Sequence, residues 1–387
     1  MTLRLYYSDS YLRSFPARIV GREEGGHRVY LDQTAFYPTS GGQLNDRGTL
    51  GEAQVVDVID EGERIAHVLD RPWNSADEVV GTVNWSRRFD HMQQHTGQHL
   101  LSAICHDRFN WPTLSVHFGD DTSTIDLDTG SAAPEQLLEI EQRANAAITG
   151  NHSVSVTYEP ASEARDLRKT SEREGVLRVV TIEGLDRSAC GGTHVRHTGE
   201  IGAILLGKSE RMKQKVRLEF LCGARAMRQA RLDANAVAAV ARQFSASAAE
   251  VPVLLEKLVA EHRTERTWRQ RLTADLAQAE AATFFAGATP GPDGLRRIAL
   301  TRPDVESIRA LAQALTERER VLFVGIGSDA RTVLVATSAD SGCDAGALLK
   351  PLLAAHGGRG GGSARLAQGV ADASALDAIA QTIVRTR

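Results

Sequence analysis

Two short segments, far apart in the chain, carry residue types that hold transition metals. The first, His95-Thr96-Gly97-Gln98-His99, sets two imidazoles four positions apart. On a helix, positions i and i+4 project from one face, so both rings can reach one ion. The second, Cys190-Gly191-Gly192-Thr193-His194, joins a thiol and an imidazole through two glycines that permit a tight backbone path. Together they offer three imidazole nitrogens and one thiolate, a tetrahedral zinc set with one ion per chain. Either half alone is weak: paired helical histidines are often packed side chains, and a glycine turn can simply cover a buried thiol. His91 lies one turn before His95, so His91/His95 is as good a pair as His95/His99, and spacing leaves both open. His106, His117 and His197 are further imidazoles of the kind that usually serve structure. Four protein ligands normally close a structural site, whereas catalytic zinc keeps a position open.

The elements that must position these residues follow from the apolar pattern. Residues 1 to 85 read as β-rich, with short runs such as ARIV, HRVYLD, AQVVDVID and VVGTVNW between glycine- and proline-containing turns, which suits a small barrel. Residues 86 to 222 mix helix and strand. RRFDHMQQHTGQHLLSAICHDRF and PEQLLEIEQRANAAITG have helical periodicity, while STIDLD, SVSVTYE, LRVVTIE, GAILLGKS and KVRLEFLCG read as strands. Residues 223 to 286 are rich in Ala, Arg, Glu, Gln and Leu and read as one or two long helices, a coiled-coil-like linker ended by GATPGPDG. Residues 290 to 387 alternate strands and helices as a small α/β domain. The expected fold is therefore α+β and multidomain.

A chain of 387 residues with 42% hydrophobic and 24% charged residues is a soluble globular protein of several domains. No apolar run approaches the roughly 20 residues that span a bilayer, and MTLRLYYSDSYLRSF has no secretory pattern, so cytoplasm is the expected compartment. The four widely spaced cysteines, Cys105, Cys190, Cys222 and Cys343, make no disulfide framework. A net charge of -4 argues against indiscriminate nucleic-acid binding, but a local basic patch remains able to hold phosphates.

Beyond their chemistry, MQQHTGQHLLSA and SACGGTHVRHTGEIG resemble the editing domain of alanyl-tRNA synthetases and of freestanding AlaX proteins. DQTAFYPTSGGQLNDRG, from Asp32 to Gly48, is similar to that family's glycine-rich loop. HGGRGGGSARLAQG, from His356 to Gly369, is similar to the glycine-rich signature of the synthetase C-terminal domain. The four matches occur in the family's order and span nearly the whole chain. The β-rich segment accounts for what precedes the HTGQH helix, so the resemblance is to the long form of AlaX, without amino-acid activation. It implies a two-layer α+β editing domain of the threonyl/alanyl type at 86–222, and a C-terminal domain for tRNA binding or oligomerisation. It implies zinc on His95, His99, Cys190 and His194, and mischarged tRNA(Ala), carrying serine or glycine, as the substrate. Two departures are visible: the loop reads SGG where AlaX proteins often carry three glycines, and His117 stands where bacterial synthetases commonly have glutamine.

A synthetase site that admits alanine cannot strongly exclude glycine or serine, so a second sieve must keep serine and reject alanine. A hydroxyl side chain could reward the serine hydroxyl, and Thr34, Thr39, Thr113, Ser115 and Thr193 are candidates, Thr113 and Thr34 foremost by motif position. Gly41 and Gly42, followed by Gln43, let backbone approach the acceptor end or the metal domain. Lys208, Arg211, Lys213 and Lys215 form a basic segment expected to contact tRNA. Arg359, inside a run of glycines, reads as a phosphate-binding nest, with Arg365 nearby. A homodimer through the helical linker and C-terminal domain is a further expectation. The competing readings are a non-catalytic, zinc-containing tRNA-binding protein, and editing of another mischarged tRNA such as Ser-tRNA(Thr).

Overall fold

The computed structural model describes residues 1–169 and 174–385. Two compact units divide the chain, residues 1–239 and 240–387. In the first unit, a two-stranded pair, β1 (Leu3–Arg4) with β4 (Gln33–Thr34), accompanies a closed barrel. The barrel strands are β2 (Ser14–Arg22), β3 (Arg28–Leu31), β5 (Gly48–Leu50), β6 (Ala53–Asp60), β7 (Ile65–Leu69) and β8 (Glu78–Val83), closed in the order β2-β3-β7-β6-β5-β8. Alternation builds it: Phe15, Ala17 and Ile19 of β2 and Val79 and Val83 of β8 point inward, with exposed residues between them. Their partners inside include Val29, Leu31, Phe36, Val58 and Ile65.

The barrel leads directly into α1 (Trp85–Phe109), the helix that carries the HTGQH motif. Asn84 caps it by accepting from the Arg87 amide at 3.2 Å, and Asn110, at φ 54°, ends it in the left-handed conformation. Most of α1 from His91 to Ala103 is buried, polar residues included, because structure surrounds the helix. Its apolar positions Met92, Leu100 and Leu101 share a core with Phe118, Ile125, Leu218 and Phe220. Those partners come from an antiparallel sheet of β9 (Thr113–Phe118), β10 (Ser123–Leu127), β14 (Ile204–Met212) and β15 (Lys215–Cys222), ordered β14-β15-β10-β9. A separate antiparallel sheet of β11 (Val154–Pro160), β12 (Val176–Ile182) and β13 (Asp186–Ala189) delivers the CGGTH segment from its last strand. The helix α2 (Pro134–Thr149), with proline in its first turn, packs near α1 and β14, and α3 (Ala224–Gln243) follows β15.

The second unit holds the long helix α4 (Val251–Gly287) and a five-stranded sheet. The sheet order is β16 (Arg296–Arg302), β17 (Val321–Gly327), β18 (Thr332–Thr337), β20 (Leu366–Val370), β19 (Arg359–Gly362). Only β16 and β17 run parallel, joined through α5 (Val305–Thr316). Every residue of β17 and β18 is buried, since helices cover both faces. Ala277 and Ala281 of α4 and Leu311 and Leu315 of α5 cover Phe323 and Leu334 on one side. On the other, α6 (Ala345–Ala355) and α7 (Ala373–Arg385) bring Leu349, Leu353, Ile379 and Ile383 against Leu322, Val324 and Val335.

The glycine run at 357–362 departs from the expected nest. Arg359–Gly362 is the edge strand β19, hydrogen-bonded to β20. A Cβ at Gly360 would lie 2.4 Å from the Gln368 carbonyl oxygen, and one at Gly362 would lie 2.2 Å from that of Leu366. At Gly360 and Gly362 the two strands lie too close for a side chain. Arg359 and Arg365 remain exposed.

Candidate metal centre and substrate cavity

His95, His99, Cys190 and His194 converge: one ligand atom from each lies within 4.8 Å of all the others. The side-chain partners show how they are aimed. His95 Nδ1 donates to Gln43 Oε1 at 2.8 Å, His99 Nδ1 to Asp186 Oδ2 at 2.9 Å, and His194 Nδ1 to Thr96 Oγ1 at 3.2 Å. Each imidazole is thus held at Nδ1 by a different neighbour, leaving Nε2 as its donor atom, the usual arrangement around a bound metal. Nε2 of His95 and of His194 each lie 3.4 Å from Cys190 Sγ. A tetrahedral zinc with Zn–N of about 2.0 Å and Zn–S of about 2.3 Å sets N and S about 3.5 Å apart, so the spacing of these two imidazoles and the thiolate suits the ion, with His99 in the same cluster. Burial alone would raise the Cys190 thiol, but the imidazoles of His95 and His194 outweigh it and bring the pKa well below the ordinary 9.0. Burial and the neighbouring His95 push His194 down to about 3. Thiolate and neutral imidazole are the forms a metal takes. His99 is different: burial would lower it, but Asp186 and Cys190 hold it at about 9.

His95 and His99, rather than His91 and His95, share the cluster with Cys190 and His194. His91 is also buried, but it lies outside the cluster, and both of its ring nitrogens lack a hydrogen-bond partner among the described residues.

Three contacts assemble this geometry from distant segments. Ser40 and Gln43 bridge across a two-residue turn in which Gly41 (φ 57°) and Gly42 (φ 85°) take left-handed conformations. That turn buries Gln43, whose Oε1 also accepts from the Thr193 amide at 3.1 Å while its Nε2 donates to Thr193 Oγ1 at 2.8 Å. One side chain of the glycine-rich loop therefore holds both metal-binding motifs. Three residues further on, Asp46 meets Arg88 of α1 in a fully buried ion pair, and Arg88 also donates to the Ser10 and Ala35 carbonyls. At Gly192 a Cβ would lie 2.1 Å from His95 Cε1, so the thiolate turn reaches the imidazole only without a side chain there.

A cavity of about 760 Å³ opens against His95, His99 and Cys190 but not His194. The start of β9, Thr113 to Val116, also lines it. Tyr7, Tyr158, Arg168, Lys169 and Arg178 contribute aromatic and cationic wall. Arg178 donates to the Cys190 and Tyr7 carbonyls and has no carboxylate partner among the described residues. Arg168 pairs with Asp186, which it helps to aim at His99.

Of the substrate-contact candidates, Thr113 and Ser115 line the cavity, as does Gly41. Thr113 Oγ1 donates to Ser102 Oγ at 2.7 Å, and Ser115 Oγ donates to Asp126 Oδ2 at 2.7 Å. Thr34 does not line the cavity. It is fully buried in the barrel, where its Oγ1 meets His67 Nε2 at 2.8 Å and accepts from the Phe36 amide. Thr193 is likewise buried and committed to Gln43, Thr39 bonds within its own loop to the Asn45 amide, and His117 is exposed on β9 outside the cavity lining. Lys208, Arg211, Lys213 and Lys215 lie on the β14–β15 hairpin. Lys208 pairs with Glu210 and Lys215 with the buried Asp126, leaving Arg211 and Lys213 exposed and without an ion pair among the described residues. Gln98, Asp186, Arg168, Arg178 and the Arg88–Asp46 pair are positioning or lining residues that motif spacing did not single out. Of these, only Gln98 carried a signal, its position at i+3 from His95 on the same helical face.

Residues 177–219 match the model of the threonyl and alanyl tRNA synthetase second additional domain, and residues 299–386 match the DHHA1 domain. Among curated proteins, the alanyl-tRNA editing protein Aarsd1-A of Xenopus laevis is 32% identical, over 79% of this chain and 75% of its own length. The mouse alanyl-tRNA editing protein Aarsd1 is 31% identical over 83% of this chain and 82% of its own. The alanine–tRNA ligase of Pyrobaculum neutrophilum is 35% identical across 95% of this chain, which spans 42% of that ligase. With relatives this similar along most of both chains, and with both domain types in this order, the chain belongs to the alanyl-tRNA editing protein family.

Proposed function

We propose that this chain is a zinc-dependent aminoacyl-tRNA deacylase that removes serine and glycine from mischarged tRNA(Ala), spares Ala-tRNA(Ala), and carries out no aminoacylation of its own. The observation that carries the reading is the convergence of three imidazole Nε2 atoms and one thiolate at a cavity wall, in a family whose named members edit alanyl-tRNA. The cavity reaches three of the four ligands, which favours a working site over a closed structural one. Zinc on His95, His99, Cys190 and His194 supplies Lewis acidity and orienting charge for the ester.

The remaining work falls to the chain's own residues. In the hydrolysis, water oxygen bonds to the acyl carbon, the bond from that carbon to the ribose oxygen breaks, and the ribose oxygen takes up the proton that the water gives up. An aminoacyl ester is already reactive, so positioning is the main requirement. Arg178 and Lys169 place positive charge where the phosphates of the acceptor end must lie, and Tyr7 and Tyr158 offer rings to the terminal base. Thr113, Ser115 and Gln98 form the wall that meets the amino-acid side chain. More distant tRNA contacts are assigned to Arg211 and Lys213 on the hairpin, and to Arg359 and Arg365. Arg359→Ala should weaken tRNA binding with zinc content unchanged. Trp268, Leu272 and Leu276, exposed on α4, suit a homodimer, which light scattering tests. No helix among the described residues is long and apolar enough to cross a membrane, in keeping with action on cytoplasmic tRNA.

The test is deacylation of Ser-tRNA(Ala), Gly-tRNA(Ala) and Ala-tRNA(Ala), with Ser-tRNA(Thr) and a Cys190→Ala variant beside them. Loss of serine and glycine, survival of alanine and an inactive variant are expected. Binding of tRNA without hydrolysis would leave a non-catalytic tRNA-binding protein, and hydrolysis of Ser-tRNA(Thr) alone would move the substrate class. Alanine-dependent pyrophosphate exchange should be absent.

A further inference from the structure

His95, Gln98 and His99 lie on one face of α1 and line the cavity together, with Ser102 one turn further along. Gln98 Nε2 donates to Ser102 Oγ at 2.7 Å, with Oε1 turned away from Ser102. Ser102 Oγ also accepts from Thr113 Oγ1 at 2.7 Å, so the start of β9 supports the same anchor. Gln98 Oε1 accepts no hydrogen bond among the described residues, yet it is not one of the sealed, unpartnered polar atoms, so it opens onto the cavity. The neighbouring hydroxyls are differently placed. Thr113 and Ser115 direct their protons to Ser102 and Asp126, and Thr34 and Thr193 are bonded away from the cavity. An amide carbonyl with both lone pairs uncommitted is an open acceptor beside the metal ligands.

We infer that Gln98 Oε1 accepts a hydrogen bond from the β-hydroxyl of the seryl group and thereby sets the preference for serine over alanine. The inference rests on the deacylase reading above and names the residue that gives it its selectivity. A seryl side chain replaces the water at Oε1 with its own hydroxyl. A glycyl group has no side chain to displace that water. An alanyl methyl covers the carbonyl and returns nothing, so the buried acceptor is left unpaired, which is the most effective way a site rejects an analogue lacking one hydroxyl.

The experiment uses an acceptor-stem minihelix ending in 3′-amino-3′-deoxyadenosine, acylated with serine or alanine through an amide the protein cannot hydrolyse. Affinities of the zinc-loaded full chain for the two forms are measured by calorimetry. Wild-type protein should prefer the seryl form, and Gln98→Met, nearly isosteric but without the acceptor, should lower the serine-to-alanine ratio at least about tenfold. Ser102→Ala, which frees the amide to turn, should lower the same ratio by a smaller factor, so the inference does not depend on one variant folding. A purely structural role for Gln98 would weaken both ligands equally. An unchanged ratio in both variants, or a wild type with no seryl preference, overturns the inference. A wild type that prefers the seryl form but leaves Ser-tRNA(Ala) intact refutes the deacylase reading instead.

Discussion

Gln43 offers the sharpest test of how the glycine-rich loop and the metal centre depend on each other. Its Oε1 accepts from His95 Nδ1 at 2.8 Å and from the Thr193 amide at 3.1 Å, and the whole side chain is buried. Gln43→Leu keeps the approximate volume but removes the acceptor. The His95 N–H, on a residue only 4% exposed, is then left without a partner. An unsatisfied buried donor costs about 1–3 kcal/mol. Losing the outer partner of a metal-binding histidine typically weakens metal affinity about 10- to 100-fold, which is ~1.4–2.8 kcal/mol. The two routes agree. In the metal-free chain the imidazole can turn to find another partner, so most of the penalty should fall on the bound state. Zinc affinity, measured by competition with a chelating dye at fixed pH, should therefore drop by one to two orders of magnitude. Gln43→Glu retains an acceptor facing His95 and should lie closer to wild type than Gln43→Leu. If Gln43→Leu binds zinc as tightly as wild type, the loop does not orient His95, and the place of Gln43 in the metal centre is wrong.

Other substitutions probe the same assembly. Gly192→Ala forces a methyl to within 2.1 Å of His95 Cε1, so zinc measured by elemental analysis should fall below one ion per chain. Arg88→Ala leaves Asp46 as an uncompensated buried charge and should destabilise the first unit by about 3–5 kcal/mol in chemical denaturation, whereas an apolar replacement of both partners should cost much less. His67 gives the pH dependence. Burial pushes its pKa down from 6.5 to about 4, so between those values the unfolded chain takes up a proton that the folded barrel refuses. Its contribution is constant above pH 6.5 and is lost as pH falls toward 4, by up to about 3 kcal/mol. A His67→Asn chain whose stability falls just as steeply across that window would place the proton uptake elsewhere.

Much of this was written locally in the chain, and what was not has a physical reason. The barrel strands alternate at period two, and α1 carries its own N-cap and left-handed C-cap, so both could be read from short windows. Glycine is ambiguous in such a window. At 41–42 it marks a turn, but at 360 and 362 it marks an edge strand whose partner, β20, comes too close for a side chain, and only the pairing distinguishes them. A threonine is equally equivocal: Thr34 is as suited to a seryl group as to a buried imidazole, and its partner on β7 lies 33 residues away.

The clearest case is the choice between His91 and His99. Both lie four residues from His95, both are buried, and helical spacing treats them alike. What separates them is Nδ1. His99 donates its Nδ1 proton to Asp186, 87 residues away on β13, and Arg168 pins that carboxylate in turn. His91 has no acceptor at either nitrogen among the described residues, so no hydrogen bond fixes its tautomer. A ligand is therefore defined less by where it stands on the helix than by what holds its other nitrogen. That partner arrives through tertiary structure, which is why the two motifs could propose the metal and only the fold could bring His99 rather than His91 into the cluster able to hold it.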